Sequence, residues 1–198
     1  MILGIDPGLA NTGWAVLDLR SQMSDVSLSN SSNSSSLSSS SGCKVKRFKN
    51  KTLIDQEGLV SEFELVACGC LRTKIGEESA KRLGKIYREL ERLIKKYKVE
   101  AIALESLFFA KNAKSALKVA EAIGVIKVCG QKNGVEVVEF TPLQVKTALV
   151  GYGRAEKEQV EIMVRNFLGL EENISPSHAS DAVAVGLTYL FTNRDLVV

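Results

Sequence analysis

The segment Met1-Ile-Leu-Gly-Ile-Asp-Pro-Gly-Leu-Ala-Asn-Thr-Gly-Trp14 constrains this chain more than any other. A short apolar run stops at an aspartate, and glycines and small polar residues follow. Met1 to Ile5 has the length and β-branched content of a buried strand. Pro7 and Gly8 end it, so Asp6 stands at the strand's carboxyl tip. In an open α/β sheet, ligands bind outside those tips. A charged side chain there costs stability unless it is solvated, paired or bound to a metal. Taken alone, Asp6 also suits a turn cap before Pro-Gly.

A second strand tip has the same form: Val99-Glu-Ala-Ile-Ala-Leu-Glu105 is an apolar run ending in a carboxylate. If the two strands are parallel neighbours, about 4.8 Å apart, Asp6 and Glu105 enter one crevice. Carboxylates that close repel each other unless a cation sits between them or one takes up a proton. A hard divalent ion is the natural partner.

The third piece is Ser175-Pro-Ser-His-Ala-Ser-Asp-Ala-Val-Ala-Val-Gly-Leu-Thr-Tyr-Leu190. Ser175 before Pro176, or Ser177, suits a helix start. His178 and Asp181 then share a face of the first turn, where the helix dipole favours an anion such as Asp181. Ala182, Val185 and Tyr189, widened by Leu187 and Leu190, dock the helix on the sheet. Asp6, Glu105, His178 and Asp181 form a candidate metal-binding cluster. His178, the single histidine of the chain, is a softer ligand than a carboxylate and tilts a site toward Mn²⁺ relative to Mg²⁺. It also suits a general acid or base, with an ordinary pKa of about 6.5.

The remaining pattern supplies the scaffold. Residues 1–6, 13–19 and 64–73 read as an antiparallel meander. Helical spacing follows over 79–97, a strand at 99–105, a helix at 113–130, a strand at 134–140, a short helix after Pro142, and helices at 155–168 and 177–191. Three antiparallel strands followed by alternating helix and strand describe an α/β, ribonuclease-H-like fold: a five-stranded mixed sheet flanked by helices. The 198 residues suffice for one domain, 1–198, with a sizeable core. A net charge of +3 permits nucleic-acid binding without demanding it. The apolar runs are too short to span a membrane, and the N-terminus has no basic segment with a cleavage site. Cys43, Cys68, Cys70 and Cys129 make no Cys-x-x-Cys pair and read as reduced thiols, which suits a cytoplasmic protein.

One segment, 21–62, interrupts the second hairpin. Thirteen of the 22 residues from Ser21 to Gly42 are serine, too few apolar groups to offset the entropy of ordering, so a disordered insertion is expected. The basic Lys44-Val-Lys-Arg-Phe-Lys-Asn-Lys51 that follows reads as a solvated tether. A hairpin turn there lies at the opposite pole from Asp6.

Several motifs in order resemble the RuvC family of Holliday-junction resolvases. They are Gly-Ile-Asp-Pro-Gly with Thr12-Gly13, Ala103-Leu-Glu105 running into Phe108-Phe-Ala-Lys-Asn-Ala-Lys-Ser-Ala-Leu117, Gln144-Val-Lys146, Gly151-Tyr-Gly-Arg-Ala-Glu-Lys157 and His178-Ala-Ser-Asp181. The match covers 1–19 and 65–190; the insertion is a departure from the family's short hairpin. The resemblance implies a metal-dependent endonuclease that nicks four-way junction DNA in recombination and repair. Asp6, Glu105, His178 and Asp181 would hold two Mg²⁺ ions, with Mn²⁺ as an alternative. It implies that Phe108 wedges into the junction and that Lys111, Lys146 and Lys157 contact DNA. It further implies a homodimer through the 113–130 helix and a RuvA/RuvB-type branch-migration partner. The residues also admit a non-catalytic junction binder. An actin/Hsp70-like phosphotransferase shares the opening hairpin but needs two such domains.

Overall fold

The computed structural model describes residues 1–21, 48–54, 60–107 and 113–192, with side chains described over 1–19, 63–107 and 116–192. Its strands are β1 (Ile2–Asp6), β2 (Asn11–Ser21), β3 (Phe48–Ile54), β4 (Val60–Arg72), β5 (Ala101–Glu105) and β6 (Glu136–Phe140). Its helices are α1 (Ser79–Tyr97), α2 (Ala113–Lys132), α3 (Pro142–Val150), α4 (Lys157–Leu168) and α5 (Ser177–Thr192).

The sheet order is β3-β4-β2-β1-β5-β6. β1, β2 and β4 form the expected antiparallel meander, and β1, β5 and β6 run parallel. This is the ribonuclease-H-like arrangement, and all five expected strands are in it. A sixth strand, β3, extends it at the β4 edge. Phe48 to Ile54 therefore corrects part of the tether expectation: the end of the basic stretch pairs with β4. Pattern could not find β3, because an edge strand needs no alternation of its own when its partner supplies the ladder. The Ser-rich part of the insertion and Cys43 lie outside the described residues.

Strand alternation sorts the core into two layers. Leu3, Ile5, Trp14, Val16, Ile102 and Leu104 pack against α1 and α2. Ile2, Ala15, Leu17, Ala101 and Ala103 face α3, α4 and α5. α5 is buried along most of its length because it lies across the centre of the sheet, against β1 and β2. Cys68, Cys70 and Cys129 are buried free thiols, as expected. Among the described residues, no helix is long and apolar enough to cross a membrane.

Candidate metal centre

The alternation that builds the core also aims the two carboxylates. Ile2 faces α5 and Leu3 and Ile5 face away, so Asp6 turns toward α5. In β5, Ala101 and Ala103 face α5 while Ile102 and Leu104 do not, which turns Glu105 the same way. The parallel register pairs Ile5 with Leu104 and so sets Glu105 level with Asp6.

α5 brings the other two. Nδ1 of His178 lies 2.7 Å from Oδ2 of Asp6 and donates to it when that nitrogen carries the proton. Asp6, His178 and Asp181 each offer a ligand atom, all within 4.8 Å of one another. α5 starts at Ser177, so Asp181 stands one turn in, slightly past the first-turn placement expected of it. The dipole's help fades there. A lysine takes its place: Nζ of Lys157 donates to Oδ2 of Asp181 at 2.7 Å.

The electrostatics are those of a crowded acidic site. Burial, then the charges of Asp6 and Asp181, push the Glu105 carboxyl up to about 7. Burial raises Asp6 as well, against the hydrogen bond from His178. Burial works to lower the Lys157 ammonium, but the hydrogen bond and charge of Asp181 outweigh it and the group is raised. Carboxyls held up by desolvation and mutual repulsion gain from a cation. Asp6, Asp181 and the imidazole of His178 in a half-buried crevice, with Glu105 beside Asp6 but outside the group that lies within 4.8 Å, are a donor set that fits a divalent ion.

The neighbouring sequence-predicted residues have separate supports. Gln144 closes a capping box with Thr141 at the start of α3, which fixes the turn carrying Lys146. Lys146 is half-buried on that helix. Lys157 is the first residue of α4, behind a capping box of Glu156 and Gln159. Phe108 and Lys111 lie outside the described residues.

Two supports escape a reading by motif. A side-chain carbon on Gly13 would overlap the carbonyl oxygen of His178, and one on Gly4 would overlap that of Ala182. These glycines let α5 press its first turns onto β1 and β2. The signal was present, since an interior strand glycine marks close backbone approach. The second support is Arg82 of α1, buried, whose Nε donates to Oγ1 of Thr73 at 2.8 Å. That hydroxyl donates in turn to the carbonyl of Leu9 at 2.5 Å, bracing the loop after Asp6.

Comparison with known proteins follows the same line. A family model described as crossover junction endodeoxyribonuclease RuvC matches residues 51–189. The crossover junction endodeoxyribonuclease RuvC of Natranaerobius thermophilus is 46% identical over 129 residues, 65% of this chain and 80% of the relative. That of Caldanaerobacter subterraneus subsp. tengcongensis is 34% identical over 98% of this chain and 94% of its own length. A solved structure, T. thermophilus RuvC in complex with Holliday junction substrate, matches with a TM-score of 0.73 and 29% identity over 98% of this chain and 94% of that one. A family match over more than half of the chain, with a relative aligned from end to end, places this chain in the RuvC family of crossover junction endodeoxyribonucleases.

Proposed function

We propose that this chain resolves Holliday junctions by paired symmetric nicks in recombination and repair, with residues 1–198 acting as one nuclease domain. The observation that carries this reading is the meeting of Asp6, His178 and Asp181 within 4.8 Å at the carboxyl tips of the sheet, in a chain of this family. Asp6, Glu105, His178 and Asp181 are the catalytic and metal-holding residues. The donor set suits two Mg²⁺ ions per subunit, and the imidazole makes Mn²⁺ acceptable. Divalent ions held by these residues would supply activation of the attacking water and stabilisation of the departing 3′-oxygen.

The chain's own residues do the rest. His178, tied to Asp6, holds one ring orientation. Asp6 and Glu105 fix the site at the end of two rigid strands, which favours precise placement. Lys157 offsets the charge of Asp181 and stands ready to meet an incoming phosphate. Lys146 supports the same phosphate from α3, and both stabilise negative charge that grows on the phosphoryl oxygens. The P–O3′ bond breaks as the water oxygen bonds to phosphorus, leaving 5′-phosphate and 3′-hydroxyl ends. Phe108 and Lys111 serve as junction wedge and phosphate contact.

A symmetric substrate cut at two related points suits a two-fold dimer. α1 and α2 leave an apolar groove of about 410 Å³ between them, lined by Leu83, Tyr87, Gly124 and Val128. Leu117 and Val128 of α2 are exposed, at 65% and 54%. This face supports the homodimer reading. A RuvA/RuvB-type motor would deliver the junction, and the cytoplasm is the compartment where that DNA lies.

The test is cleavage of a mobile synthetic four-way junction beside linear duplex, with Mg²⁺ or Mn²⁺ and Asp6→Asn as control. Paired symmetric cuts in the junction alone, absent in the variant, are expected. Tight junction binding without cuts in either metal would replace this reading with a non-catalytic junction binder. No binding at all would remove both.

A further inference from the structure

Two strands away from Asp6, the same face of the sheet ends in a second chemically distinctive feature. The register pairs Asp6 with Gly13, Gly13 with Cys70, and Asn11 with Arg72. Paired residues share a face, so Cys70 and then Arg72 lie on the α5 side, at the same pole as Asp6. Asp6 is near enough for its charge to act on the Cys70 thiol, and Arg72 stands beside that thiol. Two interstrand spacings separate Asp6 from Cys70, about 10 Å. That is the reach of two or three nucleotides at about 3.4 Å of rise each.

The chain then turns through Thr73-Lys-Ile-Gly-Glu-Glu78 into α1. This turn is braced at both ends. Thr73 receives Nε of Arg82 and donates to Leu9, and its amide donates to the carbonyl of Ala10 at 3.0 Å. Glu77 is paired with Lys85 at 2.8 Å. On this braced turn Ile75 is 84% exposed, the most exposed large apolar residue among those described. A single exposed apolar side chain is ordinary. Its setting is less so, because the cations around it divide into two groups. Lys81 and Lys85 are paired with Glu78 and Glu77. Among the described residues, no carboxylate pairs with Arg72 or Lys74, and both side chains are exposed.

Two exposed cations without a carboxylate partner among the described residues, beside an apolar tip at the pole of the catalytic cluster, match a nucleic-acid backbone better than a protein. The cations meet phosphates and position the duplex, while an apolar side chain meets sugar or a base step. We propose that the β4–α1 tip, formed by Arg72, Lys74 and Ile75, is a second DNA contact that grips the junction arm beside the cut strand. It rests on the junction-cutting function and adds a positioning surface to it. Arg72, on the strand that ends beside the cluster, takes the phosphate nearer the cut, and Lys74 and Ile75 on the turn beyond it take the next phosphate and an apolar contact.

The experiment measures affinity for a synthetic four-way junction over a series of salt concentrations, with an Asp6→Asn background so that the DNA stays whole. Arg72→Gln with Lys74→Gln is compared with Ile75→Ser and with the parent. Removing two phosphate contacts should lower the slope of log affinity against log salt by about two, with a loss of about tenfold near 0.1 M salt. Ile75→Ser should lose about fivefold with the slope unchanged, because that contact releases no counterions. In the cleaving protein, the same changes should raise KM far more than they lower the single-turnover rate. All three residues are exposed, so melting temperatures should stay with the parent. Affinity and slope unchanged in both variants would overturn the proposal and leave the tip to a protein partner. A parent that does not bind the junction at all would remove the functional reading, and the proposal with it.

Discussion

Gly13 lies directly under His178: a side-chain carbon at Gly13 would overlap the histidine's carbonyl oxygen and come within 3.2 Å of its Cβ. The absence of a side chain on β2 is therefore what seats the first turn of α5 against the sheet. It brings His178 to within 2.7 Å of Asp6. Gly13→Ala should push that turn outward. Overpacking of this kind costs about 1–3 kcal/mol, yet the larger effect should be on chemistry, since a displacement near 1 Å costs about a hundredfold in rate. Junction cleavage beside thermal melting reads both. Full activity would mean that α5 can shift without disturbing the site.

Lys157 and Asp181 form the second exact contact, 2.7 Å apart. Lys157→Met keeps most of the side chain's bulk and removes its charge. Cleavage should fall about a hundredfold, the usual loss for one charge-stabilising donor, while junction affinity falls less than tenfold. Gel-shift titration and single-turnover cleavage separate the two. Equal losses in both would make Lys157 a DNA-holding residue only.

The raised carboxyl of Glu105 gives a pH dependence with a definite sign. Its folded value of about 7 stands above the ordinary 4.5. Its contribution to the stability of metal-free protein is thus whole below about 4.5 and lost as pH rises through about 7, at most about 3 kcal/mol. Glu105→Gln should remove that loss, so the metal-free variant should outlast the parent at pH 8 and match it near pH 5. Binding of Mn²⁺ needs the ionised carboxylate, so stabilisation of the parent by the metal should grow from pH 6 to pH 8. Melting temperatures with and without metal across that range provide the check. A parent whose metal-free stability rises from pH 6 to 8 while the variant's does not would contradict the assignment.

β2 runs antiparallel to β1, and β4 antiparallel to β2. The insertion between β2 and β4 therefore leaves the sheet at the pole opposite Asp6. Replacing residues 22–46 by a short linker should leave junction cleavage within twofold of the full chain. Extending the deletion through β3 uncovers the ladder edge of β4 and should promote association between molecules. Cleavage assays and light scattering on the two deletions distinguish the effects. Loss of cleavage in the shorter, folded deletion would give the serine-rich segment a part in the reaction.

Much of this molecule is legible in the chain. Ser79 to Tyr97 matches its helical spacing from end to end, and β1 and β5 end on Asp6 and Glu105 as their apolar runs require. These features depend on neighbours in sequence, where propensity and period act directly. β3 was not legible, because its strand character comes from the ladder of β4 rather than from its own pattern. Nor was the brace from Arg82 through Thr73 to Leu9, which joins three separate segments.

The same division runs through the site. Residue types and strand ends identify which carboxylates stand at the sheet's ligand-binding edge. Local sequence also places His178 and Asp181 on one helical face. How these residues meet belongs to tertiary structure. The register of β1 and β5 levels Asp6 with Glu105, and the glycines of β1 and β2 let α5 approach. α4 then carries Lys157 onto Asp181. Backbone propensity acts over a few residues, whereas the distance between charges depends on how whole elements pack. That packing decides the burial and repulsion which hold Glu105 near 7.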